Sequence, residues 1–595
     1  MHHADVGEVV RQKLLGRRVA AGHWEGHLSS SALATATAVT AIAEGRRAGI
    51  EVADGERLVD DGIGWLIRTR NADGGWGDTP DSISNVSTTA LVWAALSYGA
   101  GVGVTAASSG AAEWIARAAG GETPAHLAAA LAARYGKDRT FSVPILTMCA
   151  IAGRLGAKDH AWRLIPQLPF ELALLPRQYL AAVRLPVVSY ALPALISMGL
   201  ARHRGGPGVP LLRNIRERAA ASALRVLDAQ QPSSGGFLEA VPLTSFVVMS
   251  LIAAGESHHP SVARGLGFLS RSARHEGSWP IDTNLATWVT TLSIDALAGS
   301  GSVTALTEEE RRAVRDWLLD QQWMVEHPYT GAAPGGWAWT DLPGGVPDAD
   351  DTAGALIALS HLDGENGRVR RAAAAGVEWL LDLQNRDGGI PTFCRGWGTL
   401  PFDRSASDLT AHALRAWAAW ETFLEPPLRT RIRSAAQRAV GFLERSQRKD
   451  GAFVPLWFGN QHEAREENPV YGTGRVIKGL RAVRGPDAPR ALDVCQRAEQ
   501  FLLSAQNPDG GWGAGACVPS SIEETSLAIV ALAPCPLSEV RPALRRGAAW
   551  LTERTDGFRT FPAAPIGLYF ARLWYADDLY PIIFAAAAME ALEER

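Results

Sequence analysis

The 595-residue sequence has little cysteine: five residues, Cys149, Cys394, Cys495, Cys517 and Cys535, scattered and without a CxxC pair. That excludes a disulfide framework and fits a reduced, cytoplasmic compartment. It also lacks an excess of either charge. Fifty-eight Lys and Arg against 62 Asp and Glu leave a formal charge of −4, so there is no basic field for nucleic acid. No apolar run is long enough to span a bilayer, and residues 1–24 lack the apolar core of a signal segment. Any membrane contact is therefore expected from one side only. What the chain does have is hydrophobic material, 47% of residues, and a length beyond one ordinary core.

Tryptophan is the next signal, 20 residues against nine Tyr, and much of it recurs in one pattern. The clearest copy joins Phe501-Leu502 through Gln506 to Gly510-Gly511-Trp512. Others join Phe268-Leu269, through Ala273, to Gly277-Ser278-Trp279, and Trp65-Leu66, through Arg70, to Gly74-Gly75-Trp76. Weaker copies end at Gly235-Gly236-Phe237, Gly388-Gly389-Ile390 and Gly451-Ala452-Phe453, preceded by Gln231, Gln384 and Gln447. Gly22-His23-Trp24 and Gly557-Phe558 are remnants. Each copy predicts a helix whose aromatic-aliphatic pair faces a core, a stop at Gly, and a ring packed over the turn. The Gln is placed to hydrogen-bond backbone at a neighbouring helix end. Apolar runs follow most copies, such as 243–253, 288–298 and 525–533, and read as helices buried on two sides. Alternating outer and inner helices close into α/α barrels. The expected fold is all-α, two barrels joined in a dumbbell. One is inserted at 26–299; the other is built from 1–25 plus 300–595, with 299–307 as the crossing.

Two stretches stand outside the repeat. Residues 164–200 are apolar and Pro-rich, with Arg177 and Arg184 inside. They read either as buried helices with Pro-broken ends or as a patch dipping into one leaflet, with Tyr179 at headgroup level. Residues 201–209 read as an exposed basic loop. The second stretch is Asp348-Ala349-Asp350-Asp351-Thr352-Ala353, between a Gly/Pro turn and an apolar run. Asp residues at a helix start cap free N–H groups. Three carboxylates this close cannot all ionise cheaply, so at least one should hold its proton at neutral pH, which makes it a candidate general acid.

The Gly-Trp repeats and the Asp348-Ala349-Asp350-Asp351 motif together resemble the squalene-hopene cyclase family, the class II triterpene cyclases, over essentially the whole chain. The resemblance implies Asp350 as proton donor, with Asp348 and Asp351 holding it. Ser407-Asp408-Leu409-Thr410-Ala411-His412 is similar to the family segment whose His hydrogen-bonds the donor, and Tyr471 matches a tyrosine of the same network. Trp339, Phe393, Trp457, Phe561 and Tyr569 fall at aromatic positions of the family's cavity, and Trp288 is placed at its far end. For each aromatic, and for His412 taken alone, ordinary core packing is the competing reading.

What the resemblance implies about chemistry is cyclisation of a hydrophobic polyprenoid by protonation, with no cofactor and no metal. The implied setting is the cytoplasmic face of a membrane, as a peripheral protein, and a homodimer is compatible with it. An isolated alkene is a weak base, so the acid must be strong and shielded from water, and aromatic faces must stabilise the cation without reacting. The substrate expected first is a linear triterpene such as squalene, giving a hopene-like or partly cyclised product. The segment 24–37 lacks the Glu that classical hopene formers carry there. The runner-up is a class II cyclase of another prenyl chain; a diphosphate-bearing one would need a Lys/Arg cluster, and none is visible near the acid motif. A zinc prenyltransferase-like barrel using Cys394 and His412, or a non-catalytic helical repeat protein, are the readings from other classes.

Overall fold

A computed structural model describes residues 3–136, 139–175, 179, 185, 188–299, 303–364, 366–568 and 572–594. Among them the chain is all-α, apart from two antiparallel pairs, Ser30–Ser31 with Trp279–Pro280 and Ile566–Leu568 with Leu573–Tyr575. Five inner helices form the first ring: α1 (Ala32–Arg47), α2 (Val86–Ala95), α3 (Arg139–Ile151), α4 (Val188–Gly205) and α5 (Val241–Ala253). Each packs on the next, and α5 closes on α1. Six form the second: α6 (Ala286–Leu297), α7 (Ala349–Asp363), α8 (Ser407–Trp420), α9 (Pro469–Ala482), α10 (Ile522–Leu532) and α11 (Tyr580–Glu593). Here α11 closes on α6. Helix α6 lies before the division expected at 299, yet its neighbours are α7 and α11. Inner helices are Ala-, Leu- and Thr-rich because they are buried nearly all round: α1 is buried from Ala32 through Ala43. Outer helices such as Gly55–Arg68 bury one face only.

The repeat is a joint in which every exposed helix-end group finds a partner. Trp76, Trp279 and Trp512 donate their indole N–H to the carbonyls of Leu66, Leu269 and Leu502, each at 2.7 Å. Those leucines end the preceding outer helices, whose last carbonyls have no partner within the helix. Trp24 and Trp337 do the same to Leu14 and Leu318. The turn glycines 74, 235, 277, 388, 451 and 510 all have φ between +87° and +94°, a conformation that only glycine adopts without strain. Gln231, Gln384, Gln447 and Gln506 donate to the turn glycine's carbonyl and to a carbonyl of the next outer helix. Gln322 makes the same pair of bonds to Gly335 and Ala372, which reveals a repeat with an insertion ahead of Trp337.

One partner is new. In eight copies the backbone N–H of the residue that closes the turn meets a threonine of an inner helix. Trp24, Trp76, Phe237, Trp279, Trp337, Ile390, Phe453 and Trp512 donate to Thr290, Thr89, Thr244, Thr35, Thr352, Thr410, Thr473 and Thr525. Thr352 belongs to the acid motif, so that motif begins an inner helix of the second ring.

The apolar stretch 164–200 holds a short 3-10 turn, Phe170–Leu174, and the start of α4, with Pro193 inside that helix. Arg177 and Arg184 lie outside the described residues. The exposed basic loop expected at 201–209 is shorter, because α4 continues to Gly205. The turn packs on the outer helix Pro210–Gln230. No helix among the described residues is long and apolar enough to cross a membrane.

Candidate active site

The acid motif is pinned by its backbone before its side chains do anything. Asp348 donates its N–H to the Trp337 carbonyl at 3.0 Å, and Ala349 donates to the Thr392 carbonyl at 2.9 Å. Asp348 is the N-cap of α7, with φ −138° and ψ 170°. Its Oδ1 accepts the N–H groups of Asp350 and Asp351, both at 2.9 Å. The helix-cap expectation is met by Asp348.

Asp350 turns away from the cap. Its Oδ1 lies 2.5 Å from His412 Nδ1 on α8 and 3.7 Å from Arg475 Nη2 on α9. The same Arg475 nitrogen lies 3.2 Å from His412 Nδ1. The Asp350 side chain is 17% exposed, while His412 and Arg475 are 4% and 6% exposed. Asp348 and Asp351 are likewise buried. Asp350 is thus the member of the cluster with surface to offer a substrate.

Four carboxyls stand close together here, and the electrostatics separate them. Burial pushes Asp348 up to about 7. Burial, then the neighbouring Asp348 charge, pushes Asp351 well above the carboxylate range. Burial, then the Asp350 charge, pushes Asp408 up to about 7. For Asp350 burial acts upward too, but His412 and Arg475 outweigh it and hold it below its ordinary value. His412 itself is driven down to about 4, by burial and then by Arg475. His412 gives Asp350 a hydrogen bond, and Arg475 adds a permanent positive charge beside it. A carboxyl with a depressed pKa is a strong acid once it carries a proton.

The aromatic positions sort into three groups. Phe393 and Trp457 pack edge to face at 6.1 Å, joined by Phe402 and by Tyr190 from the first ring. Trp457 Nε1 donates to Thr392 Oγ1 at 2.8 Å, beside the carbonyl that holds Ala349. Trp339 packs on the same cluster, with Val346 and Cys394. Its carbonyl accepts the N–H groups of Thr287 and Trp288 at the start of α6.

Trp288 is not at the far end. It meets His412 edge on at 6.4 Å, stacks on Phe458 at 6.2 Å and has the Arg475 guanidinium 5.8 Å from its ring. Its Nε1 donates to Tyr580 Oη, which pairs with Tyr575 Oη. The reason is that α6 is a member of the acid-bearing ring.

Tyr471 is buried against Phe458 at 4.6 Å, near Arg475, but no hydrogen bond from its hydroxyl to Asp350 or His412 exists among the described residues. Phe561 packs on Phe558 and under the Lys13 ammonium at 5.5 Å. Those are contacts of the chain's own turn and the N-terminal helix, not of the aspartates. Tyr569 lies outside the described residues.

The sequence reading passed over Arg475, Asp408, Phe402, Phe458, Tyr190, Tyr575 and Tyr580. Arg475 left a trace: it stands four residues after Tyr471, on the same face of a helix whose neighbours are apolar. The cysteine and histidine of the zinc reading fare otherwise. Cys394 sits in the aromatic cluster and His412 on Asp350, and no group of three metal-ligating side chains exists among the described residues.

Residues 284–556 match the family model of the squalene-hopene cyclase C-terminal domain. The chain is similar to squalene-hopene cyclases. A probable squalene-hopene cyclase of Sinorhizobium fredii is 26% identical over 549 residues, 82% of this chain and 81% of that one. Enfumafungin synthase of Hormonema carpetanum is 27% identical over 533 residues, 76% of this chain and 38% of its own. Drimenyl diphosphate synthase of Streptomyces showdoensis is 33% identical over 218 residues, 36% of this chain and 37% of its own. The match therefore covers well under half the length of the last two. The squalene-hopene cyclase match covers α6 to α10, and so the acid motif, His412 and Arg475 together.

Proposed function

We propose that the protein is a class II terpene cyclase, an isomerase that protonates a linear polyprenoid and closes it into rings. The observation that carries this reading is the Asp350–His412–Arg475 group. One accessible carboxyl is held against a neutral imidazole, in a field that disfavours its keeping a proton, beside two sets of aromatic rings. Asp350 gives a proton from its outer oxygen to the terminal alkene, and the ring-closed cation gives up a proton in turn, so that the product is an isomer of the substrate. His412 holds the inner oxygen and orients the carboxyl. Trp288, Phe393 and Trp457 face a developing cation with π-electrons, each contributing about 0.5–2 kcal/mol, and offer it no nucleophile. Burial of the group excludes water that would quench the cation early.

The substrate read first is a linear triterpene such as squalene. The test is purified protein in detergent with squalene and no added metal. A cyclic C30 product by gas chromatography–mass spectrometry supports the reading, and an Asp350→Asn variant with undiminished yield removes it. A shorter prenyl chain bearing a diphosphate is the second reading. It is favoured by an arginine-lined pocket and by the likeness to a drimenyl diphosphate synthase.

The same proposal includes two domains, with the junction moved to before Ala286, and attachment to the cytoplasmic face of a membrane. Leu174, Leu175, Tyr179, Val209, Leu211, Leu212 and Ile215 are all more than 40% exposed. They stand on two stretches that meet where the 170–174 turn packs on the 210–230 helix. Arg213 and Arg216 flank them, as one-sided insertion requires. Replacing Leu211 and Ile215 by Ser should abolish co-sedimentation with liposomes; unchanged pelleting would remove this attachment.

A further inference from the structure

A second polar site stands apart from the acid. Arg134, Gln461, His462, Arg465, Glu466 and Arg572 line a pocket of about 450 Å³. Its arginines come from three places: the outer helix Pro124–Tyr135 beside the first ring, the loop 459–468 of the second, and the head of the strand Leu573–Tyr575. A single carboxylate serves two of them. Glu466 Oε1 accepts from Arg134 at 3.1 Å, and its Oε2 accepts from Arg572 at 2.8 Å. Glu463 also lines the pocket, but its Oε2 is engaged by the backbone N–H groups of Arg465 and Glu467. Arg465 is exposed, with no ion pair among the described residues. The side chain of Arg134 is only 15% exposed, and its Nε and Nη2 are buried without an acceptor. Buried guanidinium donors are rarely left unpaired, because each forfeits the hydrogen bond it had in water. Arginines lining a pocket fit the oxygens of a phosphate group in pairs.

We propose that this pocket binds the diphosphate end of a prenyl diphosphate substrate, whose alkene end is protonated at Asp350. The inference rests on the cyclase reading and names its substrate class. The pocket is joined to the acid site by short stretches of chain. The 459–468 loop leaves Phe458, which packs on Trp288 and Tyr471, and ends at Asn468, which accepts the Tyr471 N–H at 3.1 Å. Arg572 stands three residues before Tyr575, about 10 Å along a strand, and Tyr575 bonds the Tyr580 that holds Trp288. Gln461 ties the loop to the first ring by accepting the Ile83 N–H at 2.9 Å, so the pocket lies where the two rings meet. Arg134 and Arg572 hold the diphosphate at one end while the proton is delivered at the other. The C–O bond to the diphosphate stays intact, and the cyclic product keeps the group.

The test is calorimetric titration of the full chain with inorganic pyrophosphate. Binding is expected, weakened about tenfold or more in Arg134→Gln and in Arg572→Gln, as loss of one charge-assisted pair implies. Arg134→Lys should recover part of it, and circular dichroism checks that each variant folds. Asp350→Asn should bind pyrophosphate as the wild type does. With farnesyl or geranylgeranyl diphosphate, the wild type should give a cyclic product that retains its diphosphate, and Arg134→Gln should raise KM far more than it lowers kcat.

Equal pyrophosphate binding by the wild type and both Gln variants overturns the proposal, as does cyclisation of squalene but of neither diphosphate. If the arginines matter only for binding phosphatidylglycerol vesicles, the anion is a lipid headgroup and the substrate assignment is overturned. Arginine-dependent pyrophosphate binding with no polyprene turned over would keep the anion site and remove the cyclase reading instead.

Discussion

Each ring carries a buried aspartate near the start of an inner helix, and the two are opposites. Asp78, ahead of α2, is 1% exposed. Its oxygens accept from Asn85 Nδ2 at 2.9 Å, from the Thr88 hydroxyl and from the Trp574 N–H at 2.8 Å. Asp350, on α7, has one firm partner, His412, and an open side. A carboxylate saturated with donors serves structure; one with a free oxygen beside a polarising pair serves chemistry. The pair of variants that breaks or sharpens this contrast also has the largest expected effects. Asp350→Asn should lower turnover at least about 10³-fold, the scale of losing a positioned general acid, with little change in melting temperature. Asp78→Asn should do the reverse. Its new amide would point N–H at the N–H of Asn85 or of Trp574, costing about 1–3 kcal/mol of stability while turnover of the folded fraction persists. Equal losses of turnover in both would dissolve the distinction.

The second contrast is between the two proton states of the acid cluster, and pH reads it. Asp350 is held below its ordinary value, so its protonated fraction falls about tenfold for each pH unit above its pKa. The rate should therefore rise as pH falls from 7 towards 5, with a slope near −1 in log rate. Above pH 7 the slope should flatten, because Asp348 and Asp408, both at about 7, ionise there and their charge pushes Asp350 back up. Stability should fall over a related window. Groups whose folded pKa is raised favour the fold most at low pH and lose that advantage as pH rises from about 4 through 7. A pH–rate profile flat from 5 to 8 would remove Asp350 as the group whose protonation limits the reaction.

The same contrast shows what a sequence can carry. The joint of the repeat was legible because its parts lie within about twenty residues of one another: Leu502, Gln506, Gly510 and Trp512 are one turn. Asp350 was legible because three carboxylates at a helix start are conspicuous in any chain. Arg475 was not, since a lone Arg on a helix is ordinarily a surface residue and only the ring closure of α8 on α9 brings it to His412. Trp288 stands beside His412 and Arg475 because its helix α6 belongs to the acid-bearing ring, a closure that no local pattern shows. The arginine pocket is not legible in the sequence, because its members, Arg134, Arg465 and Arg572, lie more than 100 positions apart. The threonines escaped for a subtler reason. Six of the eight belong to the helix after their turn, so each reads as part of an apolar run, and the partners of Trp24 and Trp279, Thr290 and Thr35, lie more than 200 positions away.

The smallest effect tests the bracing itself, where the rings differ again. In the second ring Gln322, Gln384, Gln447 and Gln506 all clamp a turn glycine to the next outer helix. In the first ring Gln231 does so, but Arg70 and Ala273 occupy the matching positions, four residues before Gly74 and Gly277. Gln506→Ala should cost about 1–3 kcal/mol, because it strands the buried carbonyls of Gly510 and Ala543. Arg70 runs alongside the next outer helix, its guanidinium 3.2 Å from where a Cβ would stand at Gly110, a place open only because glycine is there. Arg70→Gln should restore the clamp to the Gly74 carbonyl and raise stability by less than about 1 kcal/mol in chemical denaturation. A loss of stability there would mean that the arginine already braces the turn by a different route. The first ring would then be as firmly jointed as the second, and only its aspartate would set it apart.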